Sequence, residues 1–280
     1  MTSLNIGVLL ISTSGVLGKY ISLNPPVTIW YRSFIALICL GIYCFFRRYS
    51  FRIKLKKHGK ALFFSGFFMA LHWVTYFFAL KWSNVAISML SVFTYPIITI
   101  FLEPIFFNSK LKKEHIFFGI LIVIGLYFLV PRFDIDNIAT QGLLLGLVSA
   151  ISYSFRNIIL KKHTNMANGS VQMFFQLAVV LILLLPTLWI YPQDNFESQI
   201  PYLLLLGIIT TAIGHTLFLS SFPHFSISSA SIMSSVQPIF GVLLAIIFLN
   251  EIPDIKSLIG GGLILTTVFL ENMRIRNEKG

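Results

Sequence analysis

Charge is scarce in this sequence. Lys, Arg, Asp and Glu make up 11% of its 280 residues, against roughly 25% in an ordinary soluble domain, while hydrophobic residues reach 56% and aromatics 15%. That shortage excludes a soluble globular fold. Catalytic signatures are missing as well: there is no H-E-x-x-H, no G-x-S-x-G and no Cys/His metal spacing. With no phosphate-binding P-loop, the chain is no ATP-driven pump by itself. The two cysteines, Cys39 and Cys44, fall five apart in one apolar stretch, face different ways on a helix, and say nothing of redox compartment. No cofactor and no metal is implied.

What the sequence has instead is apolar runs. A bilayer core of about 30 Å takes about 20 apolar residues per helix. Ten such windows can be placed, spans 1 to 10: 3–22, 27–46, 61–80, 85–107, 115–131, 141–160, 170–191, 201–222, 226–249 and 256–273. They predict an all-α integral membrane protein with ten transmembrane helices. Span 1 has no basic stretch before it and no small-residue cleavage site after it, which reads as a retained span and not a signal peptide. The net charge of +11 is distributed by loop. With an internal N-terminus, the inner loops and the tail collect Arg47, Arg48, Arg52, Lys54, Lys56, Lys57, Lys60, Lys110, Lys112, Lys113, Lys161, Lys162, Arg274, Arg276 and Lys279, while the outer side keeps Lys81, Arg132 and Lys256. That is the positive-inside pattern, with both termini cytoplasmic, and it argues for anionic lipid over nucleic acid as the partner of the basic run.

The chain repeats itself. A shift of 142 positions lays residues 96–122 on 238–264 without a gap: Pro96 meets Pro238, Asn108 meets Asn250 and Gly119 meets Gly261. Two five-helix halves follow, 1–131 and 139–273. An odd number of spans per half makes the second half enter the membrane from the opposite side. Inverted repeats of this kind are a recurrent design of secondary transporters, with the substrate site between the halves near the midplane.

Polar residues inside the spans are the candidates for that site. Tyr95, Thr99 and Glu103 are each four apart and share one face of span 4. A carboxylate at such depth usually faces a cavity, although Glu103 could instead reach the interface or pair with a nearby Lys. Pro96 and Pro104 have no N–H for the carbonyls of Val92 and Ile100, and Pro238 has none for that of Ser234, so all three are expected to break their helices and leave acceptors facing protein or water. Gln237 stands beside the last break, after Ser228, Ser231, Ser234 and Ser235. His72, with Trp73 and Tyr76, lies in span 3, and Thr211 with His215 in span 8; each histidine is either a packing residue or a ligand. Arg32 belongs either to an aromatic belt with Trp30 and Tyr31 or to the cavity mouth, facing an anion. Lys19 is expected to snorkel outward, and Arg156 to add to the inner positive charge. Gly142, Gly146, Ala150 and Ser154 form a small-residue stripe for tight helix contact, and Gly260, Gly261 and Gly262 read similarly.

Three stretches carry a resemblance: "NPPVTIWYRSFIAL" (24–37), "YFFALKWSNVAISMLSVFTYP" (76–96) and "SSVQPIFGVLLAIIFLNEIPDIKSLIGGGLIL" (234–265). The chain resembles the drug/metabolite transporter superfamily, specifically EamA-type ten-helix permeases, over nearly its whole length. The resemblance implies a bacterial inner-membrane carrier of small organic solutes, commonly amino acids or related metabolites and often exported, with a cavity lined by helices 1, 3, 4, 6, 8 and 9. The first half departs from the pattern, since Ser109 stands where Glu251 stands in the second, and Gln176 replaces any arginine in span 7. The expectation is therefore a secondary transporter working by alternating access and not an enzyme. Its substrate-binding candidates are Glu103, Tyr95, Thr99, His72, Trp73, Tyr76, His215, Gln237 and Arg32. Expected partners are the substrate, the lipid bilayer and, as a further candidate, protons, but no nucleic acid; the chain would act as a monomer or homodimer. The alternative is a membrane-embedded enzyme acting on lipid-linked substrates with Glu103 and His72 as acid and base.

Overall fold

The computed structural model describes residues 2–107, 111, 113–129, 134–163, 168–220, 234 and 236–277. Among them all regular structure is helical. In chain order the helices are α1 (Thr2–Ser12), α2 (Ser14–Tyr20), α3 (Pro25–Phe46), α4 (Leu55–Trp82), α5 (Val85–Val92), α6 (Tyr95–Phe107), α7 (Lys113–Phe128), α8 (Ile138–Lys162), α9 (Gly169–Leu184), α10 (Thr187–Ile190) and α11 (Phe196–Leu205). A π-helical segment, Leu206–His215, runs on into α12 (Thr216–Ser220), and α13 (Val236–Leu249) and α14 (Ile255–Asn277) follow. Among the described residues five continuous stretches are long and apolar enough to cross a membrane: Pro25–Phe46, Lys56–Trp82, Val85–Phe107, Ile138–Lys162 and Phe196–Ser220.

Side-chain caps start many of these helices. Asn84, Asn137 and Asn168 each accept from a backbone N–H of the first turn, as Asp254 does from Ser257 N, at 2.8 to 2.9 Å, and so satisfy donors a helix start leaves open. Pro25 and Pro26 occupy the first turn of α3, where a missing N–H loses nothing. Asn250 closes α13 with φ 54°, a left-handed conformation that Asn tolerates.

The three prolines behave differently. Helix stops at Val92 and resumes at Tyr95, so the chain breaks beside Pro96; Thr94 seals the gap by donating its hydroxyl to Ser91 O at 2.8 Å. Pro104 lies inside α6, which continues through it to Phe107. Pro238 sits in the first turn of α13. The run before it, with Ser228, Ser231 and Ser235, lies outside the described residues, as does the 108–110 loop.

Helix α8 packs on α4, α5 and α6, and its small-residue stripe makes that approach possible. A Cβ on Gly142 would meet Ser83 at 2.9 Å, one on Gly146 would collide with Ser91 Oγ, and Ser154 donates to Tyr95 O at 3.0 Å. Three helix pairs lie antiparallel across the molecule. Trp30 and Gly41 of α3 meet Leu181 and Phe174 of α9. Val85 and Met89 of α5 meet Glu251 and Gly241 at the end and middle of α13. Glu114 and Gly125 of α7 meet Arg274 and Ile264 of α14.

Polarity is arranged inside out. Phe45, Phe46, Ile105, Val123, Ile182, Trp189 and Ile247 are exposed, whereas Arg32, Arg156, His72, His215, Gln176 and a set of Ser and Thr hydroxyls are buried. A lipid-facing exterior around a polar interior has this distribution.

Candidate functional site

The polar interior converges on one cavity, with about 420 Å³ between its side chains, bounded by α1, α2, α3, α4, α5, α6, α8, α13 and the π segment. Seven of the nine predicted binding residues line it: Arg32, His72, Trp73, Tyr76, Tyr95, His215 and Gln237.

Arg32 is 1% exposed, which decides between its two sequence readings: it is an interior residue and not part of an interfacial belt. Its guanidinium carbon lies 4.1 Å from the centre of the Trp73 ring and 5.8 Å from that of Phe77, a cation–π arrangement that partly replaces lost hydration. Nε donates to Thr211 Oγ1 at 2.5 Å, and Nη2 makes a longer contact of 3.4 Å with Thr210 Oγ1. Consecutive residues of an α-helix point about 100° apart. Here the wider π turn, with both threonine hydroxyls donating to Leu206 O, brings Thr210 and Thr211 to the same cation.

The opposite wall is aromatic. His72 stacks on Tyr153, ring centres 4.3 Å apart, and Tyr95 meets Tyr153 edge-on at 4.8 Å. Ser149 fixes His72 twice, with its Oγ 2.7 Å from Nδ1 and donating to the His72 carbonyl at 2.8 Å. Trp73 lies edge-on to His215 at 5.3 Å. The Tyr95 hydroxyl meets the Ser234 hydroxyl, which joins α6 to the run before α13. His215 Nδ1 is buried with no hydrogen-bond partner among the described residues, Tyr76 Oη, beside the Ser14 side chain, makes no fully formed bond, and Gln237 is half-buried.

Two predicted residues stand elsewhere. Thr99 is fully buried and donates to Tyr95 O at 2.8 Å, back into its own helix. Glu103 is half-buried on α6, eight residues and so about 12 Å beyond Tyr95, and is not a wall of the cavity. Two other expectations need correction. Arg156 adds nothing to surface charge: it is fully buried, donating to Gln176 Oε1 at 2.9 Å and Asn157 Oδ1 at 3.0 Å. Helix α9 packs close enough to supply an acceptor, so the side chain stays in. Lys19 does not simply snorkel; it pairs with Glu251 at 3.3 Å and donates to Ser83 O at 2.7 Å. The sequence reading missed Tyr153, Ser149, Ser14 and Thr210. Tyr153 sits three residues before Arg156, one helical turn away, which was the only local hint.

The EamA-like transporter family matches the chain twice, over residues 3–130 and 140–273. The pseudopaline exporter CntI of Pseudomonas aeruginosa is 22% identical over 260 residues, covering 91% of this chain and 89% of that protein. The transporter YxxF of Bacillus subtilis is 23% identical over 215 residues, covering 72% of this chain and 68% of its own. A solved crystal structure superposes with a TM-score of 0.74 at 18% identity, over 100% of this chain and 98% of the other, a likeness of fold alone.

Proposed function

The chain belongs to the EamA-like transporter family, and from that premise we propose that it is a ten-span secondary carrier that alternates between inward-open and outward-open states around the Arg32–His72–His215 cavity. It is a multi-pass membrane transporter and not an enzyme, as its relatives are; the carrier mechanism is our reading. One observation carries it. The cavity lies between the segments 1–131 and 139–273, and each half gives it both polar and aromatic walls.

The helix pairs support an inverted repeat. A shift of 142 maps α3 onto α9, α6 onto α13, and α7 onto α14. Two of these counterpart pairs, α3–α9 and α7–α14, pack antiparallel in the contacts described above, and an axis relating two antiparallel counterparts must run across the helices, hence in the membrane plane. The two family matches over 3–130 and 140–273 fit the same division. The loop charges favour cytoplasmic termini in a bacterial inner membrane, and the likeness to an exporter favours a small organic solute moved outward. In this reading the seven cavity residues bind substrate, while Glu103, two turns further along α6, serves the inner pathway or a coupling proton.

The test uses single cysteines at Ser14 and Gln237, in a background with Cys39 and Cys44 replaced by alanine. An impermeant maleimide applied to either face of oriented vesicles is expected to label both positions from both sides. Labelling from one face only would fit the lipid-acting enzyme and overturn the carrier.

A further inference from the structure

Among the described residues the cavity is lined by a cation, Arg32, and by no carboxylate. The sequence has ten acidic residues. Apart from Glu103, off the cavity on α6, they are Glu114, Asp134, Asp136, Asp194, Glu197, Glu251, Asp254, Glu271 and Glu278, placed in connecting segments, helix ends or the last ten residues. The stretch 221–235, next to the cavity in sequence, contains no Asp or Glu. Among the described residues neither Arg32 nor Arg156 has a carboxylate at ion-pair distance, and the pairs that form are Lys19–Glu251 and Arg274–Glu114. A buried charge without a partner is expensive; Arg156 is satisfied by the Gln176 and Asn157 amides, whereas Arg32 leaves part of its fork unspent, which makes its position the one where a ligand can supply the anion.

The remaining donors agree. A guanidinium has five N–H groups in a planar fork. Arg32 uses Nε and one N–H of Nη2 on the threonines, and among the described residues Nη1 has no acceptor. His215 Nδ1 is a buried polar atom of the wall left without a hydrogen bond, and Tyr76 Oη, beside the Ser14 side chain, makes no fully formed one; each residue is 94% or more removed from solvent. Resting on the carrier reading above, we propose that the transported solute carries a carboxylate that lies in the plane of the Arg32 guanidinium, with Tyr76 Oη and His215 Nδ1 completing its hydrogen bonds. Trp73, Tyr95 and Tyr153 wall the same cavity and give the rest of such a solute apolar and aromatic surface to lie against. Bidentate pairing with a planar carboxylate is the interaction in which arginine exceeds lysine.

The experiment takes purified protein in proteoliposomes loaded with matched compounds: phenylacetate, 4-methylpentanoate and glutarate, the amide and the amine on each skeleton, and inorganic phosphate. Protein-dependent efflux is measured by mass spectrometry, and thermal unfolding is followed in parallel with each compound at millimolar concentration. Efflux and stabilisation are expected for carboxylates alone, to fall at least tenfold in Arg32→Gln and to be partly retained in Arg32→Lys, whose unliganded unfolding temperature reports that the variant folds. Equal handling of amides, amines or phosphate overturns the assignment, and so does an unchanged Arg32→Gln. If no compound exits but carboxylates alone stabilise the protein through Arg32, the anion site stands and the carrier reading fails. If neither occurs, the carboxylate site is wrong.

Discussion

Arg32 and Arg156 are two buried cations held in different ways, and the difference predicts how each responds to substitution. Arg156 donates to two side-chain amides, Gln176 and Asn157, so it is a finished structural contact. Gln176→Leu removes the Nε acceptor and leaves a buried donor unpaired, which costs about 1–3 kcal/mol; a lowered unfolding temperature in detergent is the expected result, and an unchanged one would show that water replaces the amide. Ser149 serves His72 in the same sense. Ser149→Ala removes both the hydroxyl beside Nδ1 and the bond to the His72 carbonyl, with an expected loss of about 1 kcal/mol on the same measurement. Sequence spacing placed His72, Trp73 and Tyr76 in one neighbourhood. It could not tell that Arg156 turns inward, because only the tertiary approach of α9 brings Gln176 to it.

Among the elements, Glu251 ties α2, α5 and the end of α13 together, and the carrier reading makes this cluster a candidate latch. Glu251, past the left-handed Asn250, accepts from Val85 N at 2.8 Å at the start of α5 and pairs with Lys19 at the end of α2, while Tyr20 donates to Phe248 O at 2.6 Å. In that reading, opening the face that holds the cluster means releasing Glu251 from both partners. Glu251→Gln, which weakens the pairing with Lys19, is expected to raise maleimide labelling of a cysteine at Ser14 from that face several-fold; unaltered labelling would mean the latch does not gate. Helix α14 begins on a separate device, Asp254, whose side chain caps Ser257 N. Asp254→Ala is expected to cost about 1 kcal/mol. The Ser257 hydroxyl, together with its N–H, holds the Asp254 carboxyl below the usual carboxylate range. The cap's charge-dependent share of stability is therefore full above that range and is lost only as pH falls through the lowered value; an acid titration of wild type against Asp254→Asn measures it. The asparagine and aspartate caps are readable in the sequence. The π turn of 206–215 is not, since LGIITTAIGH carries no proline and would serve equally as an α-helix.

At the scale of the molecule, the loop charges and the repeat make a single topological claim. Alkaline phosphatase inserted at 51–54, which the loop charges assign to the cytoplasm, is expected to be inactive, and active when inserted at 134–137, three spans later and between the two halves. The reverse pattern would invert the molecule, and activity at both sites would end the span count.

The sequence by itself determined the membrane class, the family and the neighbourhood of the site, because apolar runs of bilayer length, a proline–asparagine–glycine register repeated after 142 residues and helical spacing are all local properties of the chain. The tertiary structure alone decided which polar groups face one another. Glu103 and Arg32 are equally plausible cavity residues on a helical wheel. Only the packing of α3 against the π segment and α4, with α8 drawn close along its glycines, puts the arginine in the cavity over Trp73 and leaves the carboxylate outside it.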